Sequence, residues 1–569
     1  MVNKKIFIST LIALLSLGVG VAQKKADPVT FINQPHDWVD SVFNILTPKE
    51  RIAQLFLVRA HTNLGERYID SVQRVIEKEQ LGGLVVFQGG PVRHVHMFNR
   101  YQQASKVPLL ITFDGEWGLG MRMPDSTISY PYQMTLGAIE NDNLIYQMGR
   151  QVARDFKRIG MHFNFAPVVD INNNPDNPVI NFRSFGDDKI RVTEKGKAYM
   201  QGMIDGGIFA SLKHFPGHGD TDVDSHHDLP QLPFDRTRLD TLEMYPFKEL
   251  IRAGAPAVMV AHMNIPALDD TPHIPSSISP KIVTGILRNE MGFKGLSVTD
   301  AMDMKGVKKF FPSGQADVMA ILAGNDLLEI SENSERAIRL VEEAIEEGKI
   351  NQEDIDARVK RVLAAKLWLG LDKGRHTNPN RLYEDLNGPG AKTLVQRIAD
   401  AAVTLVKSDR GLRRFDRTQE TAIVSIGVQE PQEFEKGLAR QLNSYTQYVV
   451  AGNESEETLK EVLKAARGHR QVILAIHDNR ARPRSELDFN AETKDLIDRL
   501  AGRRTVTLMF TNPYALNSVD IMRSSSILVG YQNDDFMQKA LLKALLGQII
   551  PSGKLPVTVS DQLPTGSGI

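Results

Sequence analysis

The densest set of side chains able to do chemistry lies in one run, Lys213-His-Phe-Pro-Gly-His-Gly-Asp-Thr-Asp-Val-Asp-Ser-His-His-Asp-Leu-Pro230. Its eighteen residues include four histidines, four aspartates, two glycines and two prolines. Histidine titrates near neutral pH, so histidines beside carboxylates suit proton transfer. The run has no apolar period with which to bury itself and reads as a loop mounted on a short β-like segment, residues 209–212. Loops on rigid strands are where binding and catalytic groups concentrate. A solvated surface loop is the bland alternative, yet such loops rarely collect this many histidines next to aspartates. Zinc is the other chemistry to weigh, through His214, His218, His226 and His227. Pro216-Gly217 lies between the first two and breaks the helix on which ligands four apart would converge, so neither metal nor cofactor is expected.

Polar groups recur at the ends of other β-like runs. Residues 109–113 are followed by Asp114, 163–169 by Asp170, 257–261 by His262 and 295–299 by Asp300. A single aspartate could cap the next helix, but matching positions on five runs are not explained that way, and Lys213 and His214 are poor caps. Runs at 54–58, 83–87 and 326–330 bring the number to eight, with apolar residues at helical spacing between them at 143–159, 195–206, 246–253 and 335–348. Continuous apolar strands alternating with helices mean a parallel sheet covered on both faces. Eight such units over roughly 300 residues predict a (β/α)8 TIM barrel, whose active site gathers at the C-terminal strand ends. An open doubly wound sheet would want a glycine-rich fingerprint after its first strand, whereas Gly82-Gly83 precedes a strand. The expected barrel occupies 36–373, closed by a helix over 354–369, and a polar linker covers 374–395. A smaller α/β sandwich follows over 396–562, with β-like runs at 402–406, 422–426, 471–476, 506–510 and 526–529.

The 569 residues are 42% hydrophobic and 24% charged, the profile of a globular chain of more than one domain. A formal net charge of -1 supplies no basic excess for nucleic acid. Lys4-Lys5, an apolar run over 6–19 and Gly20-Val21-Ala22 predict an export signal over residues 1–22, cleaved after Ala22. The apolar run is shorter than the roughly 20 residues of a membrane span, so no stable membrane insertion is expected after cleavage. With no cysteine, lipid attachment and disulfides are both excluded. The expected destination is the periplasm or the medium.

Three stretches taken together, Asp114-Gly-Glu-Trp-Gly118, the loop from Lys213 to Pro230, and Val298-Thr-Asp-Ala-Met-Asp303, resemble glycoside hydrolase family 3 and its bacterial β-N-acetylglucosaminidase branch. The core Lys213-His-Phe-Pro-Gly-His-Gly219 followed by Asp224-Ser-His226 carries most of the likeness, and Pro551-Ser-Gly-Lys-Leu-Pro-Val-Thr558 extends it into the second domain. The resemblance implies a retaining exo-β-N-acetylglucosaminidase whose partner is a carbohydrate with terminal β-GlcNAc, in peptidoglycan fragments, chitooligosaccharides or glycans. It implies Asp300 as nucleophile, with Lys213 or Arg183 helping to keep it ionised. It implies His226 as general acid/base and Asp224 as the partner that orients the imidazole, on an arm carried by glycine hinges. Asp303, the rival nucleophile, is read as a cap or wall residue. Asp114, Arg122, Arg183, Lys213 and His214 match sugar-binding positions, and Asp170 matches either another of these or a structural group. The family more commonly has Asp-Gln-Glu-Gly-Gly where this chain has Asp114-Gly-Glu-Trp-Gly118, so Trp117 is either a stacking wall or barrel packing. A phosphorylase or a β-glucosidase on the same scaffold, and a catalytically silent carbohydrate-binding protein, are the alternatives.

Overall fold

The structure is a computed structural model that describes residues 25–224, 227–409 and 415–569. Its first sheet holds eight parallel strands: β1 (Phe56–Ala60), β2 (Gly83–Val86), β3 (Leu110–Phe113), β4 (Phe163–Asn164), β5 (Phe209–Phe215), β6 (Ala257–Val260), β7 (Leu296–Thr299) and β8 (Leu328–Glu329). Neighbours follow chain order from β1 to β7, and β8 pairs with β1. Backbone hydrogen bonds from Asp326 and Leu327 to Ser297, and from Thr299 to Leu327, join β8 to β7 and close the barrel. Strand residues such as Leu84, Ile111, Phe163, Phe209 and Val298 are fully inaccessible, because helices cover the outside and side chains fill the inside. Helices Asp142–Arg158, Lys189–Gly206, Tyr245–Arg252 and Ser334–Glu346 lie where apolar spacing predicts them, and Gln352–Trp368, expected to close the ring, packs beneath the barrel with Trp368 against Phe209 at the start of β5.

Two strands depart from expectation in ways that matter for the site. The run 163–169 yields only the short β4, since Pro167 has no N–H and the amide and carbonyl of Val168 bond instead to the Gln133 side chain (3.2 and 2.7 Å). β5 runs past residue 212 to Phe215, and its pairing with β6 shifts register between Leu212 and Phe215. Adjacent residues of a regular strand face opposite ways. The irregularity brings both Lys213 and His214 to the same end of the barrel.

The second sheet contains β9 (Thr404–Ser408), β10 (Thr421–Ile426), β11 (Tyr445–Val450), β12 (Gln471–His477), β13 (Thr505–Phe510) and β14 (Ser526–Val529), in the order β11-β10-β12-β13-β14-β9. Five strands are parallel and β9 is antiparallel to β14. Flanked by helices, this is the α/β sandwich. β11 lay outside the predicted runs because it is an edge strand, half exposed, and mixes tyrosine, threonine and glutamine with valine. Within 374–395 the chain forms the helix Leu382–Leu386 and enters Pro389–Ala402.

The two domains meet along the loop after β4. Asn172 donates to the Tyr514 hydroxyl (3.0 Å), Asn512 donates to Asn181, and the Asp187 amide donates to the Pro556 carbonyl (3.1 Å). Among the described residues no helix is long and apolar enough to cross a membrane.

Candidate active site

The turn after β3 carries the first charges. Asn164 of β4 holds it from both sides, accepting from the Gly115 amide (2.9 Å) and donating to the Gly115 carbonyl (3.0 Å). This aims Asp114 and Glu116 at the barrel mouth. Lys213 Nζ lies 2.8 Å from Asp114 and 2.9 Å from Glu116. Arg183 forks onto both oxygens of Glu116 (2.9 and 2.6 Å), and Arg122 donates to Asp114 at 3.1 Å. Burial alone would raise both carboxyls, but Lys213 and Arg122 outweigh it at Asp114, and Arg183 and Lys213 at Glu116, so both sit below the usual range. Burial would lower Lys213, and the same two carboxylates overcome it and raise its pKa. The five groups form a rigid, fully charged cradle of donors and acceptors suited to sugar hydroxyls. Glu116 was passed over in the sequence, although it stands inside the Asp114-Gly-Glu-Trp motif.

Asp170 does not line the cleft. It is inaccessible and accepts from the amides of His214 (3.1 Å) and His218 (2.8 Å), with His214 Nδ1 2.7 Å from its second oxygen. It therefore shapes the β5 end from behind, in the position of the structural alternative. Arg183, which can only donate, faces His214 Nε2 at 3.4 Å, so Nδ1 carries the hydrogen given to Asp170. His218 lines the cleft; burial, then His214, lowers its pKa to about 4. Its Nδ1 lies 2.6 Å from Thr221 Oγ1, and Nε2 has no partner among the described residues. His218 is therefore held neutral at neutral pH, with Nε2 buried at the cleft wall.

Asp300 follows β7 and lines the same cavity, with Oδ1 accepting from the Ala301 amide (2.8 Å). His262, at the end of β6, fixes that turn from below: Nε2 lies 2.9 Å from the Ala301 carbonyl and Nδ1 2.6 Å from Ser277 Oγ. Asp303 neither caps nor lines. It pairs with Arg59 at 3.1 Å, and the next helix is capped at Met304 without a side-chain bond. A further carboxyl, Glu329 at the end of β8, lies buried beneath this floor. Burial, then Asp114 and Asp300, raises its pKa well above the ordinary value. Glu329 is a carboxyl whose surroundings favour its protonated form.

Asp224 also lines the cavity, and its carbonyl accepts from the amides of His227 (2.8 Å) and Asp228. His226 lies outside the described residues. Lys309 holds the far end of the loop through Asp228 at 2.9 Å. Gly219 is not the free hinge that glycine suggested: a Cβ there would stand 1.7 Å from the Ile171 carbonyl oxygen, so it is a close-packing position. The cavity measures about 730 Å³, and its wall is completed by residues 482–486 of the second domain. Trp117 lines it while its ring packs edge-on against Tyr132 at 4.9 Å, so wall and packing are both served. Among the described residues no three His, Asp or Glu side chains are grouped to hold a metal ion.

Residues 47–365 match the family model described as glycosyl hydrolase family 3 N terminal domain, and residues 315–565 match that of its C-terminal domain. The chain belongs to glycosyl hydrolase family 3. As a family 3 protein it is a glycoside hydrolase with a TIM barrel followed by an α/β sandwich. It is 28% identical, over 86% of its length and 91% of the relative's, to beta-hexosaminidase A of Pseudoalteromonas piscicida. It is 25% identical, over 91% and 95% of the two lengths, to a beta-N-acetylglucosaminidase/beta-glucosidase of Cellulomonas fimi. The solved family 3 beta-N-acetylglucosaminidase of Paenibacillus sp. str. FPU-7 superposes with a TM-score of 0.77 at 30% identity, covering 90% of this chain and 99% of that one.

Proposed function

We propose that this family 3 glycoside hydrolase is a retaining exo-β-N-acetylglucosaminidase that releases terminal β-linked GlcNAc from peptidoglycan fragments, chitooligosaccharides or glycans after export. The observation that carries the reading is Asp300 in one cavity with the Asp114, Lys213, Arg183 cradle and with Asp224. The cradle binds the terminal sugar, and the Asp300 carboxylate attacks its anomeric carbon. The glycosidic bond breaks as His226 gives its proton to the leaving oxygen, leaving the sugar on Asp300. Water then attacks the same carbon while His226 takes its proton, and Asp300 is released as carboxylate. Asp224 orients the imidazole throughout. The names of the Pseudoalteromonas and Paenibacillus relatives support GlcNAc as the sugar, and that of the Cellulomonas relative makes the glucoside the comparison to run.

The test compares aryl-β-GlcNAc with aryl-β-glucoside, each with and without phosphate. The expected result is preference for aryl-β-GlcNAc, release of free sugar in both buffers, and loss of at least about a thousand-fold in kcat for Asp300→Ala. Preference for the glucoside, a glycosyl phosphate product, or an active Asp300→Ala would each overturn part of the reading.

A further inference from the structure

We infer that Lys309 is a positioning residue for the acid/base: its ion pair with Asp228 ties the arm that bears Asp224 and His226 to the segment that begins at Asp300. The inference rests on the roles given above to Asp300, Asp224 and His226, and adds what sets their separation. Displacement at the anomeric carbon needs the nucleophile against one face of the sugar and the proton donor beside the leaving oxygen, at a fixed spacing. Asp300 stands directly at the end of β7, whereas the arm lies well beyond the end of β5 at Phe215. The sheet therefore fixes the first group and leaves the second to be held by other contacts.

Both ends of the arm are built in. Thr221 is inaccessible, its carbonyl accepts from Asn174 (3.3 Å), and Arg238 pairs with Asp220. On the far side Leu229 is buried and the Pro230 carbonyl accepts from the Asn264 amide (2.8 Å). Between these anchors the described residues are half-buried or exposed. There Lys309 reaches across from the loop after β7, its Nζ 3.0 and 2.9 Å from the two oxygens of Asp228. Lys309, then the Leu229 amide, hold Asp228 below the usual carboxylate range, which favours the charged pair.

The segment from which Lys309 reaches is itself braced. The Met302 amide donates to the Glu329 carbonyl (2.8 Å), and Asp303 pairs with Arg59 at 3.1 Å. Val307 is inaccessible, Lys308 pairs with Glu332 at 2.7 Å, and the Phe310 ring lies flat on His273 with centroids 4.7 Å apart. Asp300 and Lys309 are thus two points on one rigid segment, and the grip on Asp228 carries that rigidity to the arm. Folding stability alone does not account for the pair. Its side chains are 54% and 46% exposed, and ion pairs at such exposure add little to stability.

The test separates substrates by their need for a proton. The sugar oxygen of chitobiose departs only when protonated, whereas 2,4-dinitrophenyl-β-GlcNAc releases a stable anion. kcat/KM, which reports the steps up to cleavage of the glycosidic bond, is measured on both. Lys309→Met is expected to lower the chitobiose value roughly five-fold, the most an exposed ion pair contributes, and to leave the dinitrophenyl value within about two-fold. Asp228→Asn should do the same, the double variant should lose no more than either single one, and Lys309→Arg should restore most of the rate. In the unaltered protein the ratio of the two values should fall toward that of the variants as salt rises. No loss in Lys309→Met, an equal loss on both substrates, or additive losses in the double variant overturns the positioning role. If His226→Ala leaves the chitobiose value unchanged, the acid/base reading fails instead and the inference with it; if neither substrate is cleaved, the GlcNAc reading fails.

Discussion

Glu116 and Glu329 are both buried glutamates near the barrel mouth, and their surroundings drive them to opposite protonation states. Arg183 and Lys213 overcome burial and hold Glu116 below the usual range; burial, then Asp114 and Asp300, push Glu329 well above it, toward the protonated form. Glu116→Gln leaves a buried guanidinium and a buried ammonium short of a partner, so it should cost about 3–5 kcal/mol in urea unfolding and raise KM. Glu329→Gln replaces one neutral group by another of the same shape and should cost less than about 1 kcal/mol at neutral pH. The pH dependence separates them further. Unfolded Glu329 ionises near 4.5 while the folded form holds its proton, so the stability it contributes is full below 4.5 and is lost as pH rises toward its folded pKa. Glu329→Gln should therefore gain on the unaltered protein as pH rises above 4.5. A variant as damaging as Glu116→Gln would show Glu329 to be ionised.

At the scale of elements, the helix Gln352–Trp368 packs under the barrel and buries a lysine. Lys366 is inaccessible, donates to Gln54 Oε1 at 2.7 Å, and is lowered by burial to about 7. Unfolded lysine keeps its proton to 10.5, so between about 7 and 10.5 the unfolded chain binds more protons and stability rises with pH. Lys366→Met should abolish that rise, which thermal melts across this window would register; an unchanged slope would mean that Lys366 stays charged when buried. The same logic of local burial governs β5. Lys213 and His214 near its end are polar yet buried, and the carboxylates of Asp114 and Glu116 at Lys213 and of Asp170 at His214 make that tolerable.

At the scale of the molecule, the active-site wall exists only when the domains are docked. The loop after β4 serves both, giving Arg183 to the cradle and Asn172, Asn181 and Asp187 to the seam. Gly186 lies at its tightest point, with φ of 148° and room for no side chain: a Cβ would stand 2.2 Å from the Pro556 carbonyl oxygen. Gly186→Ala should destabilise docking by roughly 1–3 kcal/mol and split one calorimetric transition into two, with activity lost at the lower. A single unshifted transition would show that the seam does not couple the domains.

The sequence by itself determined the barrel, because strands buried on both faces must be continuously apolar and the helices between them must be amphipathic. It also marked Asp114, Lys213, His214 and Asp300, since strand ends converge in that fold. The two-residue β4, the polar edge strand β11 and the packed Gly219 were not legible, for each depends on a neighbour distant in the chain: Gln133, the open edge of the sheet, and Ile171. Tertiary structure alone decided which charges are spent and which are free. It bonded Asp170 to His214 and Asp303 to Arg59, pushed Glu329 toward its protonated form, and carried Arg482 and Arg484 from another domain to the mouth of the cleft. Charge state and pairing are set by distances across the fold, and one-dimensional spacing does not contain them.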